Sequence, residues 1–458
     1  MNGRRTKRGT VAVALGRNRL PVGELRFEVD GGRQFSMFRY AQSWLDRADA
    51  FPLSPDLPLG DQSFWHSGRG GSARSALPGA ISDGAPDSWG RGILRRVRRH
   101  PPTELDFLLL ASDATRQGAL RFADEDGRLQ CPGGSEGPHL GDLEALRHLS
   151  AEYERGADGE APEVQALARA VGSLGGRRPK SDFDDGGVLA VAKFTSVRDT
   201  QPVERVEVAT LNLARAAGLH SAQARIGLAH DERPVAVVRR FDRHGDERIP
   251  YLSARSFLGT DARAAFYTDI VERLSVHGFA PERQMAELYR RVLFTILVSN
   301  NDDHLKNHGF LHVGNGRWML APAFDINPKP ERHRSLKTGI SEEYGTAASI
   351  EAAVDASLYF EIGRDRAREM LRAMLGVIDR EWAGRCRAEG LSADEIAAYR
   401  PAFEHGETAR ARRLVAKSIA AGARRHADVE TDPCHHSAGS TPDQSLRGTS
   451  PQPEHEGR

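Results

Sequence analysis

The stretch VSNNDDHLKNHGFLH, residues 298–312, gathers carboxylates, carboxamides, imidazoles and an ammonium directly behind the apolar run VLFTILV. Burying such groups without partners costs roughly 1–3 kcal/mol each, so a cluster at the end of a core segment calls for a metal, a substrate or a dense hydrogen-bond network. Within it Asp302 and Asn307 lie five positions apart, and Asp325 follows in the apolar frame MLAPAFDINP. Phosphoryl transfer in kinases uses that spacing: one Asp orients the acceptor hydroxyl, an Asn at this distance holds a metal ion, and a second Asp at a strand end holds the metal bridging the β- and γ-phosphates. Asn307 and Asp325 offer the hard oxygens that magnesium prefers, and Lys306 can neutralise charge on the transferring group.

Lys193 stands near the end of VLAVAKF, an otherwise apolar strand pattern, so its ammonium must emerge into a cleft or meet a carboxylate. Glu207, on the next predicted helix VERVEVATLNLARAAGL, is a suitable partner, and Glu204 one turn earlier competes for the role. A strand lysine held by a helix glutamate grips the α- and β-phosphates in kinases. Ahead of both, VGSLGGRRPKS (residues 171–181) combines glycines with Pro179 and Lys180. Glycines let backbone amides approach phosphate oxygens, although a GG turn taken alone is an ordinary loop. A transition-metal reading competes for NNDDHLKNH, because His304 and His308 stand at i, i+4 with Asp302 or Asp303 as further ligands, a zinc-like spacing if the stretch is helical. Gly309 and the alternating GFLHVG point instead to a loop running into a strand, where the two imidazoles need not share a face. His304 would then fix the loop, and His308 would be a satisfied polar residue.

Only seven of the 64 basic residues are lysine, and Lys180, Lys193, Lys306 and Lys329 all fall beside these motifs. Where arginine serves for solubility, a retained lysine marks a task for a compact ammonium. The chain of 458 residues exceeds what one hydrophobic core usually serves, so two or three lobes are expected. With 39% hydrophobic and 28% charged residues and no apolar run of bilayer length, it is not a membrane protein. VAVAL, near the N-terminus, is too short for a signal-peptide core and reads as a first strand. Cys131, Cys386 and Cys434 are too few and too scattered for a disulfide framework, which places the chain in a reducing, cytoplasmic setting. A formal charge of +1 gives no global basic footprint for nucleic acid, and the local basic runs are RRTKR and RRVRRH.

The elements that must position these residues follow from periodicity. VAVAL, ELRFEV and FSMFRY alternate as strands, and helices are expected in DSWGRGILRRVRR and TELDFLLLAS, giving an α/β subdomain over 1–125. Residues 126–162, rich in Gly, Asp and Glu, form a connecting segment in which LEALRHLSAEYE can make a helix. Over 163–245 come a helix, a glycine loop, the Lys193 strand, a helix and two strands, ARIGLA and VAVVRRF. From 246 to 425 helical spacing dominates, and 426–458, lacking apolar anchors, is expected to be disordered.

Taken in order, SLGGRRPK, AKF, RFDR, NNDDHLKNHGF and APAFDINP, with LPLG, APDSWGR and YLSARSFLG before and among them, make the chain resemble the HipA family of serine/threonine-kinase toxins from about residue 20 to 420. The resemblance implies an α+β, bilobal protein-kinase-like fold with an added N-terminal subdomain, ATP and magnesium as cofactors, and a cognate antitoxin, often DNA-binding, as partner. DNA would be met only through that antitoxin, and the acceptor would be a protein. It makes Asp302 the hydroxyl-orienting residue or base, Asn307 and Asp325 the metal ligands, Lys193 the phosphate-binding lysine and Glu207 its holder. Gly175, Gly176 and Lys180 would belong to the phosphate loop, and Ser173 matches the serine on which family members phosphorylate themselves, ejecting the loop. Val238, Arg239 and Phe241 fall on the adenine-binding hinge, where the competing expectation is packing alone. Two departures stand out: the metal aspartate sits in DIN in place of DFG, and the loop carries adjacent arginines, Arg177 and Arg178. A non-catalytic module working through an antitoxin and DNA, and a small-molecule phosphotransferase, are the alternatives; the presence of Asp302, Asn307, Asp325 and Lys193 favours protein-kinase chemistry.

Overall fold

The computed structural model describes residues 7–69, 75–98, 100–131, 142–173, 176–259, 265–332 and 334–417. The expected tail 426–458 and Cys434 lie outside these residues. The described residues up to Val415 cluster as one compact unit.

Five antiparallel strands open the chain: β1 (Lys7–Leu15), β2 (Leu20–Asp30), β3 (Arg33–Tyr40), β4 (Phe64–Arg69) and β5 (Leu120–Ala123), in the order β4-β3-β2-β1-β5. Period-two alternation drives one face inward, so that Val11, Val13, Leu25, Phe27 and Phe38 share a core with the C-terminal helices. The strand β4 was not anticipated, because Trp65 within it is exposed on the sheet edge and breaks the pattern.

A second antiparallel sheet carries Lys180 and Lys193: β6 (Lys180–Asp184), β7 (Leu189–Phe194), β8 (Ala224–Gly227) and β9 (Val235–Arg239), ordered β6-β7-β9-β8. Ala190, Ala192 and Phe194 turn one face of β7 into a small core with Val235 and Val237. The helix Leu143–Glu154, inside the expected connecting segment, adds Leu146 to that core. Successive side chains alternate, so Val191 and Lys193 must point the other way, into the interior of the molecule.

Helices supply the rest. Pro281–Leu297 is buried along most of its length and delivers the chain to the polar stretch that follows, where Ser299 turns it with φ +54°. Arg364–Ala388 packs against Val203–Ala216, the helix bearing Glu207. The helix Ala393–Phe403 escaped sequence analysis because Pro401 argues against it; the Ser392–Glu395 capping box starts it, and the proline falls in its last turn. Gly309–His312, Tyr251–Ser253 and Trp318–Leu320 form a three-stranded sheet, and at Gly309 a Cβ would stand 2.4 Å from the Tyr251 ring, so only glycine lets these strands meet. No helix among the described residues is long and apolar enough to cross a membrane.

His405 ties the end of the long helix to the C-terminal segment: its Nε2 meets the Leu297 carbonyl at 3.1 Å and its Nδ1 accepts the Glu407 amide at 3.2 Å. That pair of bonds requires a neutral ring, and burial together with Arg334 pushes the imidazole down to about 4 from its ordinary 6.5. A depressed histidine stabilises the fold fully above the unfolded value and loses that contribution as pH falls from 6.5 towards 4. Thermal unfolding at pH 7 and pH 5 should therefore show wild type losing about 1–2 kcal/mol more than His405→Gln, whose carboxamide keeps both bonds without titrating; equal losses would remove His405 as the cause.

Candidate active site

Lys193 and Lys180 face one another as cross-strand partners on β7 and β6. Two ammonium groups opposed in a buried place are unstable without anions between them. Glu207, on the helix Val203–Ala216, accepts from Lys193 Nζ, and Asp325 accepts from the same nitrogen at 2.7 Å. Burial alone would lower the Lys193 pKa, but Asp325 and Glu207 outweigh it and hold the ammonium firmly charged. Burial likewise works to raise Asp325, and Lys193 with Lys180 reverses the sign, keeping that carboxylate ionised far below its ordinary range. Burial raises Glu207 despite Lys193, and lowers Lys180. Asp325 adopts a left-handed backbone, φ +57°, and Asn327 Nδ2 donates to its Oδ1 at 3.0 Å. The asparagine of DIN thus fixes the aspartate two residues before it.

The two carboxylates of NNDDH divide their labour. Asp303 is buried and accepts from the Tyr267 hydroxyl, from Thr295 Oγ1 at 3.3 Å and, at 3.1 Å, from His308 Nε2, which bolts the loop to the helices. Asp302 is exposed, and among the described residues its carboxylate holds no partner. Asn307 lies in a single 3-10 turn, Leu305–Asn307, where its Nδ2 donates to the Asp302 carbonyl at 3.2 Å. That bond uses the amide nitrogen and leaves the Asn307 Oδ1 as a spare acceptor in a residue that lines the cleft with Asp325. One carboxylate and one carboxamide oxygen on residues lining the same cleft suit a magnesium ion. The α-helical spacing that a zinc pair at His304 and His308 needs is absent: His308 is committed to Asp303, His304 lines the cleft, and no group of three His, Cys, Asp or Glu able to hold a metal occurs among the described residues.

The glycine loop closes over the lysines. Gly176 has φ +105°, a backbone conformation that favours glycine, and its Cα lies close enough to Lys180 that an added Cβ would stand 2.4 Å from Nζ. Ser173 is buried, and its Oγ accepts from the Gln117 amide at 2.6 Å. Gly175 lies outside the described residues. Arg178 donates to Asp199 and, at 2.7 Å, to Glu204, which also accepts from Thr195 Oγ1. Glu204 is thereby spent on the loop, and of the two glutamates it is Glu207 that holds Lys193.

Val238, Arg239 and Phe241 line the same cleft as Lys193, with Val191, Tyr251 and Phe324. Phe241 packs at 5.4 Å from the Phe324 ring, so the wall is apolar and aromatic, while the Arg239 side chain is exposed at its rim. Asp302 does not line this cleft. It borders an adjacent open cavity of about 500 Å³ with Lys329, Ser335 and Lys337.

Sequence analysis missed the cleft residues that come from the first subdomain: Asp83, Asp87 and Gln117. Asp83 accepts from the Ser253 amide at 2.7 Å and hydroxyl at 2.9 Å. Asp87 occupies the N-cap position of the helix Ser88–Val97, yet its side chain makes no cap bond. Its oxygens go to Lys306 Nζ, at 2.6 Å, and to the Gly176 amide, at 3.0 Å. The sequence signal for it was the motif APDSWGR, which assigned its aspartate no role.

Residues 13–123 match the family model of the HipA N-terminal domain and residues 172–382 that of the HipA-like C-terminal domain, together more than half of the chain. The HipA structure from the Shewanella oneidensis toxin-antitoxin complex of HipA, HipB and operator DNA is similar over 90% of this chain and 97% of that one, with a TM-score of 0.58 at 16% identity. The Helicobacter pylori proinflammatory kinase CtkA aligns over 53% of this chain and 95% of its own, but at a TM-score of 0.39 and 14% identity, too low to argue from. A Haemophilus influenzae protein provisionally described as a kinase is 28% identical over 109 residues, which are 21% of this chain and only 32% of that relative's length. With both family models matched in order and the HipA fold recovered over nearly its whole length, this chain belongs to the HipA family and has the bilobal, kinase-like α+β architecture.

Proposed function

We propose that the chain is an ATP- and magnesium-dependent serine/threonine protein kinase of the HipA toxin type, restraining growth by phosphorylating a cellular protein. One observation carries the reading: Lys193, gripped by Glu207 on one side and Asp325 on the other, shares a cleft with Asn307 and with the hinge residues Val238, Arg239 and Phe241. The apolar wall suits an adenine ring, and Lys193, Lys180 and the Gly176 loop suit its phosphates. Asn307 and Asp325 would hold magnesium, which when bound supplies positive charge to the phosphates. Asp302, in the neighbouring cavity, would orient an acceptor hydroxyl and take its proton as the oxygen attacks the γ-phosphorus and the bond to ADP breaks. Nucleotide and acceptor then approach the reacting phosphorus from different openings, which explains why Asp302 stands apart from the main cleft.

Ser173 supports self-phosphorylation as an off-switch by its burial. Its Oγ accepts from the Gln117 amide at 2.6 Å in a site with almost no exposed surface, so a phosphate there would break that bond and could not be accommodated without the loop leaving the site. A cognate antitoxin is the proposed partner, with DNA reached through it, in keeping with the HipB and operator DNA bound by the Shewanella relative.

Transfer from labelled ATP with magnesium, mapped by mass spectrometry, tests the reading. Asp302→Asn should lose at least ~100-fold in transfer while keeping wild-type thermal stability; undiminished turnover would sink the assignment, and ATP binding with no transfer even by wild type would favour a non-catalytic module. Ser173→Ala should carry no self-label and still bind ATP, and label found mainly on another residue would overturn the loop-switch reading.

A further inference from the structure

Among the residues that the N-terminal part of the chain brings to the cleft, Asp87 touches two of its other parts at once. Asp87 sends Oδ1 to Lys306 Nζ at 2.6 Å and Oδ2 to the Gly176 amide at 3.0 Å, and in return the Gly176 carbonyl accepts from the Trp89 amide at 3.1 Å. Trp89 adds a second tie, its Nε1 donating to the Lys180 carbonyl at 3.0 Å. Lys306 and Asp87 are 219 residues apart, and Asp87 forgoes the cap position that its own helix offers. A carboxylate in contact with a lysine beside Asn307 and with the amide of a phosphate loop is placed where two moving parts of a transfer reaction must be set together.

We infer that Asp87 is a positioning residue of the kinase centre: its two oxygens set the Lys306 ammonium and the phosphate loop by a single group, so that the catalytic half is incomplete without the N-terminal subdomain. The inference rests on the kinase reading for its catalytic part and on geometry alone for the loop anchor. Bonded to Asp87, Lys306 is held away from the exposed Asp302 carboxylate and faces the cleft it lines. Release of the loop at Gly176 removes one of the two constraints on Asp87, so loop departure and loss of Lys306 orientation become one event. This gives the loop switch proposed for Ser173 a route to the catalytic loop that does not depend on nucleotide leaving.

Two substitutions separate the functions of the carboxylate. Asp87→Asn keeps an acceptor for the Gly176 amide and removes the charge facing Lys306; Asp87→Ala removes both. In steady-state transfer, Asp87→Asn should lower kcat about tenfold, the kinetic equivalent of one charge-assisted hydrogen bond, with KM for ATP changed less than about twofold. In a cycle with Lys306→Gln, the Asp87→Asn effect should shrink to less than about twofold, because a residue acting through Lys306 has nothing left to position. Limited trypsin digestion reads the loop: cleavage after Arg177 should speed up about tenfold in Asp87→Ala and stay near the wild-type rate in Asp87→Asn. Additive losses in the cycle would overturn the coupling to Lys306, and unchanged cleavage of Asp87→Ala would overturn the anchor. If wild type transfers no phosphate at all, the kinase reading fails, and the digestion still decides whether Asp87 holds the loop.

Discussion

Two lysines facing each other across β6 and β7 are the constraint around which the cleft is organised. Like charges in register on adjoining strands repel, and burial adds a desolvation cost to both. The fold meets that demand with carboxylates drawn from three separate places: Glu207 from the helix that follows β7, Asp325 from a loop in the C-terminal half, and Asp87 from the N-terminal part of the chain. Asp325 and Asp87 are both remote from β6 and β7 in sequence. The helix carrying Glu207, the turn carrying Asp325 and the segment carrying Asp87 must all arrive before the two ammonium groups can be buried together. Ion pairing here sets architecture more than it adds stability, which is what a buried ionic cluster does best.

The subdomains are joined by the same logic. Arg240, wholly enclosed, donates to Asp182 at 2.9 Å, to Asp242 at 2.6 Å and to the Thr115 carbonyl at 2.8 Å. Asp242 in turn accepts the Gly118 amide at 2.7 Å, and Arg243 donates to the Arg116 carbonyl at 2.6 Å. RFDR therefore acts as a rivet: Phe241 lines the cleft, while Arg240, Asp242 and Arg243 bind the backbone of residues 115–118. Arg116 extends the network by giving its guanidinium to the carbonyls of Gly84, Leu108 and Ala111 at 2.7 Å while lying over the Phe122 ring. Arginine suits this work because its planar fork satisfies several carbonyls at once.

Much of the site was legible from sequence. The five-residue interval from Asp302 to Asn307 is a local feature, and the 3-10 turn brings Asn307 back onto the Asp302 carbonyl, as that interval requires. Lys193 was recognisable because period-two alternation on an apolar strand leaves a charged side chain no neutral place to go. The strands β1 to β3 and the long helices followed from their periodicity for the same reason: their hydrogen bonds close within the element or with a neighbour a few residues away.

Choices between equivalent groups were left to tertiary structure. Glu204 and Glu207 lie on one face of one helix, and only the arrival of Arg178 at Glu204 assigns Glu207 to Lys193. Asp302 and Asp303 are chemically identical neighbours, and it is Tyr267, Thr295 and His308 that claim one and leave the other exposed. Asp87 stands at the start of a helix in a motif that gave it no role, because its partners come from residues remote in the chain. The sequence by itself determined which chemical groups are present and how those close along the chain are spaced, since backbone geometry turns short intervals into fixed directions. Which carboxylate meets which ammonium was decided by the packing of distant segments, because a charge is satisfied by whatever partner the folded interior brings within reach.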